Sequence, residues 1–293
     1  MRRADRNATR EISYAHSAET RSGRAVIRLM ENTTGRLGLM KRARGYEADV
    51  NTGAGFFDVM ADRYGLSLDV AVGSLEFVPR EGPVIFIANH PYGILDGLML
   101  GHIMSQTRDD FKIMAHSVFQ RSPEVNRHLL PISFDQDRKA VALNLRTRRD
   151  ALDFLGKGGA VGIFPGGTVS TGAKLFSKPM DPGWRSFTAR MIAKSRASVV
   201  PIYFDGHTSR MFQIASHMHA TLRMGLLIRE FRKRVDDRVR VAIGAPIGRD
   251  VLDPMAADGK AMMDFLRKAT YELSPEPLGV PELGFEFEAQ HRV

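Results

Sequence analysis

The 293-residue sequence predicts an α/β fold with a mostly parallel central sheet flanked by helices. Two observations carry that expectation. Short apolar runs alternate with longer helix-like stretches, the order of a layered α/β domain. Two of the runs also stop abruptly in chemistry-bearing loops, ANHPYG (88–93) and FPGGTVS (164–170). Open α/β sheets bind ligands beyond the carboxyl ends of their strands.

Residues 1–24 are polar, Arg-rich and without periodicity, and read as a flexible basic arm. Residues 25–66 read as an N-terminal helical segment. Within it Val26, Ile27, Leu29, Met30, Leu37, Leu39 and Met40 are interleaved with Arg and Lys, and the central ENTTG (31–35) divides them into two short amphipathic pieces. Strands are expected at 68–78, 84–88, 111–115, 160–164, 199–204 and 239–243. Helices are expected at 95–105, 138–155, 183–195 and 254–273. No internal repeat and no Pro-, Gly- or Ser-rich linker divides 67–293, which reads as one domain. GKGGAVG (156–162) lacks the spacing of a nucleotide-binding loop and reads as a loop leading into a strand.

The composition narrows the chemistry. Without cysteine the chain has no disulfide and no thiolate metal site, which suits a reducing cytosol. No apolar run reaches about 18 residues, so no transmembrane helix is expected, and the Arg-containing N-terminus lacks the apolar segment of a secretory signal. The net charge of +9 favours anionic partners: a lipid surface, an acidic carrier protein or nucleic acid. Basic residues are spread widely and no aromatic–basic motif occurs, which argues against nucleic acid. The segment 211–234 reads as a core-packing helix pair or an interfacial contact, with Phe212, Ile214 and Leu222 assigned to the core. Arg229, Arg232, Lys233 and Arg234 either face lipid phosphates or form a solvated face. His217 and His219 diverge on a helix and read as surface residues; no metal is expected.

One strand runs through 85–88 and halts at Asn89 and His90, and Asp96 comes six positions later. On a regular helix six steps of about 100° leave two side chains about 240° apart. The turn Pro91-Tyr92-Gly93 must therefore fold the chain back if Asp96 is to meet His90.

His90 and Asp96, then FPGGTVS, then VVPIYFDG (199–206), resemble in order and spacing the lysophospholipid acyltransferase superfamily, of the 1-acylglycerol-3-phosphate acyltransferase type. The likeness covers roughly residues 70–250, and the continuation FDGHTSRMFQ (204–213) is similar to a hemolysin-labelled subgroup. The resemblance implies an acyltransferase domain over 67–293. It implies an O-acyltransferase of membrane-lipid biosynthesis, moving a fatty acyl group from acyl carrier protein or coenzyme A to a lysolipid hydroxyl. It needs no cofactor beyond that thioester co-substrate. It also implies a cytoplasmic protein in peripheral contact with the anionic inner face of the cytoplasmic membrane. His90 would be the general base and Asp96 its orienting carboxylate. Asn89, Arg138, Pro165, Gly166, Gly167 and Thr168 would bind substrate. The acceptor hydroxyl is then the nucleophile, in keeping with the absence of G-x-S-x-G and of cysteine. The amides of Gly166, Gly167 and Thr168 would serve the tetrahedral intermediate if their loop opens a helix or forms a nest.

Two departures from the pattern matter. Five residues rather than four separate His90 from Asp96. Gly166 and Val169 stand where the family has Glu and Arg, residues associated there with a glycerol phosphate. Losing the guanidinium removes a bidentate phosphate clamp, so a lyso-aminolipid is expected to be preferred over lysophosphatidic acid unless Arg138, in LLPISFDQDR, restores the contact. A lipid ester hydrolase and a noncatalytic anionic-membrane-binding protein are the rival readings.

Overall fold

The computed structural model describes residues 13–15, 18, 20–121, 123–133, 135, 137–278 and 282–286. Its strands are β1 (Ser67–Val72), β2 (Val84–Ala88), β3 (Phe111–His116), β4 (Leu129–Ile132), β5 (Ala160–Ile163), β6 (Thr171–Gly172), β7 (Pro179–Met180), β8 (Ser198–Phe204) and β9 (Arg238–Ile243). Seven form one sheet in the order β1-β9-β8-β2-β5-β3-β4, and β6 pairs with β7 outside it. Every neighbouring pair of the large sheet is parallel except β8 with β9.

The apolar runs are apolar because both faces of the sheet are covered. Alternate side chains of β2 enter two different cores. Val84, Phe86 and Ala88 join Leu95, Leu100, Ile103 and Phe231 on one face. Ile85 and Ile87 join Leu155, Ile192, Met263 and Leu266 on the other. The helices Phe56–Arg63, Ile94–Thr107 and Ala220–Arg232 supply the first core, and Arg138–Gly156, Ser186–Lys194 and Gly259–Tyr271 the second.

The sequence reading departs from the structure in several places. The strand expected at 68–78 stops at Val72, and Leu75–Phe77 is a 3-10 turn. β4 has no counterpart among the expected strands: it is four residues long and contains Pro131, tolerated because it is an edge strand. Of the arm expected over 1–24, residues 1–12, 16, 17 and 19 lie outside the described residues, but residues 13–15 are packed into the fold. Ser13 and Ala15 are buried, and the buried carboxylate of Glu31 accepts bonds from Ser13 Oγ and from the Tyr14 amide at 2.6 Å. The first helix begins inside the arm, at Arg21–Thr34. As the ENTTG break requires, a second helix, Arg36–Ala43, is separated from it by Gly35.

Candidate active site

β2 lies between β5 and β8, so its carboxyl end is flanked by the loops that leave both. Asn89 is the first residue past the strand. Its side chain prolongs the sheet: Nδ2 donates to Phe204 O at 2.9 Å, and Phe204 N donates to Oδ1 at 2.7 Å. Expected as a substrate contact, Asn89 is instead buried and anchors the turn to β8.

The next residues make the turn the six-residue spacing demands. Gly93 is the N-cap of the helix Ile94–Thr107, with φ 86° and ψ −110°. That conformation is open in practice only to glycine. A Cβ there would also press on Leu227 and Val169 at 3.1 and 3.2 Å. Asp96, third in the helix, turns back. Its Oδ2 accepts the amides of Tyr92 and Gly93, both at 2.8 Å, and lies 2.9 Å from His90 Nδ1. The hydroxyl of Tyr92 ties the turn to β8 by donating to Asp205 O at 2.6 Å.

The imidazole of His90 stacks on the Phe164 ring, centroids 4.3 Å apart and planes 25° from parallel. It is 18% exposed while the Asp96 side chain is wholly buried. Nδ1 faces the carboxylate without being aligned to it as a hydrogen bond. Burial pushes the Asp96 carboxyl above the ordinary carboxylate range, against the pull of His90 and the two amides.

In the loop 164–170, Pro165 and Gly166 are buried, and Gly167 and Thr168 are half-buried. The loop does not open a helix; it runs into β6. The Gly167 amide donates to Phe164 O at 3.0 Å, so it closes a turn rather than serving as an oxyanion donor. Val169 points into an apolar cluster with Phe212 and Leu227. Arg138 is exposed at the start of its helix, past edge strand β4. Three strand spacings, roughly 14 Å, separate β4 from β2, and no hydrogen bond or ion pair among the described residues joins Arg138 to either loop.

Two residues that sequence reasoning missed organise the loop. Asp181 is fully buried. Its Oδ1 accepts the His90 amide at 3.2 Å and the Ser170 hydroxyl, and its Oδ2 accepts Trp184 Nε1 at 2.9 Å. The Ser170 amide returns a bond to His90 O at 2.8 Å. A side chain on Gly166 would begin 3.4 Å from the Asp181 carboxylate. Only the DPG turn signal of 181–183 marks this segment in the sequence, and a turn signal does not announce a buried hub. Asp181→Asn is expected to cost about 1–3 kcal/mol, since an amide nitrogen must face one of three buried donors. Chemical denaturation checks this; an unchanged midpoint would mean that the hub is not needed.

Arg223 is the second. Buried on the helix Ala220–Arg232, it donates to Thr168 Oγ1 at 2.9 Å, Val169 O at 2.7 Å, Thr171 Oγ1 at 2.7 Å and Ser216 Oγ at 2.6 Å. Burial lowers its guanidinium to about 9. Of the other basic residues of this helix end, Arg229 pairs with Glu230 at 3.1 Å, and Arg234 pairs with Asp237 at 3.3 Å and covers the Tyr92 ring, while Arg232 and Lys233 are exposed. Phe212 is core as expected, but Ile214 is 36% exposed. His219 caps its helix and His217 contacts Gly172 O at 3.0 Å, so both have structural roles.

Residues 69–205 match the family model described as Acyltransferase, a stretch that holds His90, Asp96 and the 164–170 loop. Over that stretch the chain is similar to the acyltransferase family. It is similar to a curated lyso-glycine lipid O-acyltransferase of Bacteroides thetaiotaomicron, 25% identical over 155 residues, which make up 50% of this chain and 52% of that protein. The chain thus matches about half the length of that relative. The crystal structure of the 1-acyl-sn-glycerophosphate (LPA) acyltransferase, PlsC, from Thermotoga maritima aligns with 90% of this chain and 87% of that one, at a TM-score of 0.46 and 15% identity. Among the described residues no helix is long and apolar enough to cross a membrane.

Proposed function

We propose that this protein transfers a fatty acyl group from the thioester of acyl carrier protein or coenzyme A to the hydroxyl of a lysolipid. The observation that carries the reading is the His90 imidazole at the carboxyl edge of the sheet, backed through Nδ1 by the buried Asp96 and with no hydrogen bond to Nε2 among the described residues. His90 Nε2 takes the proton of the acceptor hydroxyl as its oxygen attacks the thioester carbonyl carbon. The tetrahedral intermediate then collapses, the C–S bond breaks, and the imidazolium returns the proton to the departing thiolate. Asp96 stabilises that imidazolium.

A lyso-aminolipid is the favoured acceptor. The 164–170 loop presents no arginine of its own, and the guanidinium of the buried Arg223 beside it is taken up by Thr168, Val169, Thr171 and Ser216. The similarity to a lyso-glycine lipid O-acyltransferase supports the same choice. With one acyl donor, kcat/KM for a lyso-aminolipid is expected to exceed that for lysophosphatidic acid by one to two decades, roughly the worth of one missing charge-assisted bond. A preference for lysophosphatidic acid that vanishes in Arg138→Ala would overturn this and identify Arg138 as the phosphate clamp.

A further inference from the structure

We infer that the loop joining β6 to β7 docks the protein on an anionic lipid surface, an inference that rests on the lysolipid reading for why the site must reach a bilayer. The loop, AKLFSK (173–178), carries Phe176 at 81% exposure with Leu175 beside it and the exposed Lys174 and Lys178 on either side. It is a held turn: Ser177 N donates to Lys174 O at 3.1 Å, and Lys174 N donates to Ser177 Oγ at 2.9 Å. Such a turn presents its aromatic tip at little further entropic cost.

The loop is joined to two other features. Gly172 at its base donates to Gln213 Oε1 at 3.0 Å on the helix Arg210–Met218. That helix exposes Met211, Ile214 and Met218, which recur at the spacing of one helical face, with Arg210 exposed at its start. The other end of the loop leads directly to Asp181, and its beginning to Ser170, the two residues bonded to the main chain of His90. A contact made by the loop is therefore fixed relative to the His90 turn.

The chemistry selects the occupant. An apolar wedge between two ammonium groups matches acyl chains beneath anionic headgroups, and the net charge of +9 steers the chain toward such a surface. A second copy fits less well, because a two-fold contact on this tip would bring Lys174 and Lys178 against their own images.

The test measures cosedimentation of the full chain with vesicles of phosphatidylglycerol in phosphatidylcholine, and with phosphatidylcholine alone. Lys174→Ala with Lys178→Ala is expected to weaken binding to the anionic vesicles about thirtyfold, from about fivefold per lysine, and Phe176→Ser to weaken it further. Acyl transfer to a short-chain lysolipid below its micellar concentration should be unchanged in both variants, while transfer to vesicle-borne lysolipid falls with binding. Unchanged vesicle binding overturns the inference. So does equal loss on the monodisperse acceptor, which would place the loop in the acceptor site, or a dimer that the variants abolish. Loop-dependent vesicle binding without transfer to any acceptor would leave the docking surface standing and sink the acyltransferase reading instead.

Discussion

His90→Ala is expected to lower the rate of acyl transfer by about 10²–10⁴-fold, the usual worth of a positioned general base. The fold should survive. The main-chain bonds of residue 90, to the Asp181 carboxylate and from the Ser170 amide, do not involve the imidazole. What is lost structurally is the stack on Phe164, about 0.5–1.5 kcal/mol, and the contact with Asp96, whose Oδ2 keeps the amides of Tyr92 and Gly93. Steady-state rates with acyl donor and lysolipid, on protein whose circular dichroism and melting match the parent, make the check. A folded variant with near-parental turnover would remove His90 from the mechanism.

Asp96→Asn should cost nearly as much, up to about 10⁴-fold by analogy with the same change in a hydrolytic triad. Asp96 Oδ2 faces three groups at once, the His90 imidazole and the amides of Tyr92 and Gly93. An asparagine oxygen can still accept the two amides, so the turn and helix cap persist. It brings no negative charge to stabilise the imidazolium, and its NH₂ takes the place of Oδ1, which is buried without a hydrogen bond among the described residues. The loss should therefore appear in kcat with little change in melting temperature. Asp96→Ala, by contrast, strands two buried amides and should destabilise the protein by about 1–3 kcal/mol for each. Full activity in Asp96→Asn would mean that another group orients His90.

Much of this arrangement is legible in one dimension. The run 84–88 is unbroken and apolar because β2 is covered on both faces, and its expected boundaries are those of the strand. The halt at Asn89 and His90 marks the end of that strand, and Pro91-Tyr92-Gly93 marks the fold-back that a six-residue spacing needs. β4 escapes notice because a four-residue edge strand with a proline has no periodicity to read. Asn89 misleads because an amide beside a candidate base suggests substrate contact; its partner, the Phe204 backbone, is 115 residues away.

The sequence by itself determined the layered α/β architecture, the edge of the sheet where chemistry collects, and the pairing of one imidazole with one carboxylate. These arise from local periodicity and from a turn a few residues long. Tertiary structure alone decided what supports them. Asp181 reaches His90 from 91 positions away, and Arg223 reaches Thr168 from 55. Nothing in the local pattern distinguishes those side chains from solvated charges. Only the packing of β6, β7 and the helix Ala220–Arg232 beneath the loop excludes water from them, and exclusion of water turns a surface charge into a partner that buried donors and acceptors require.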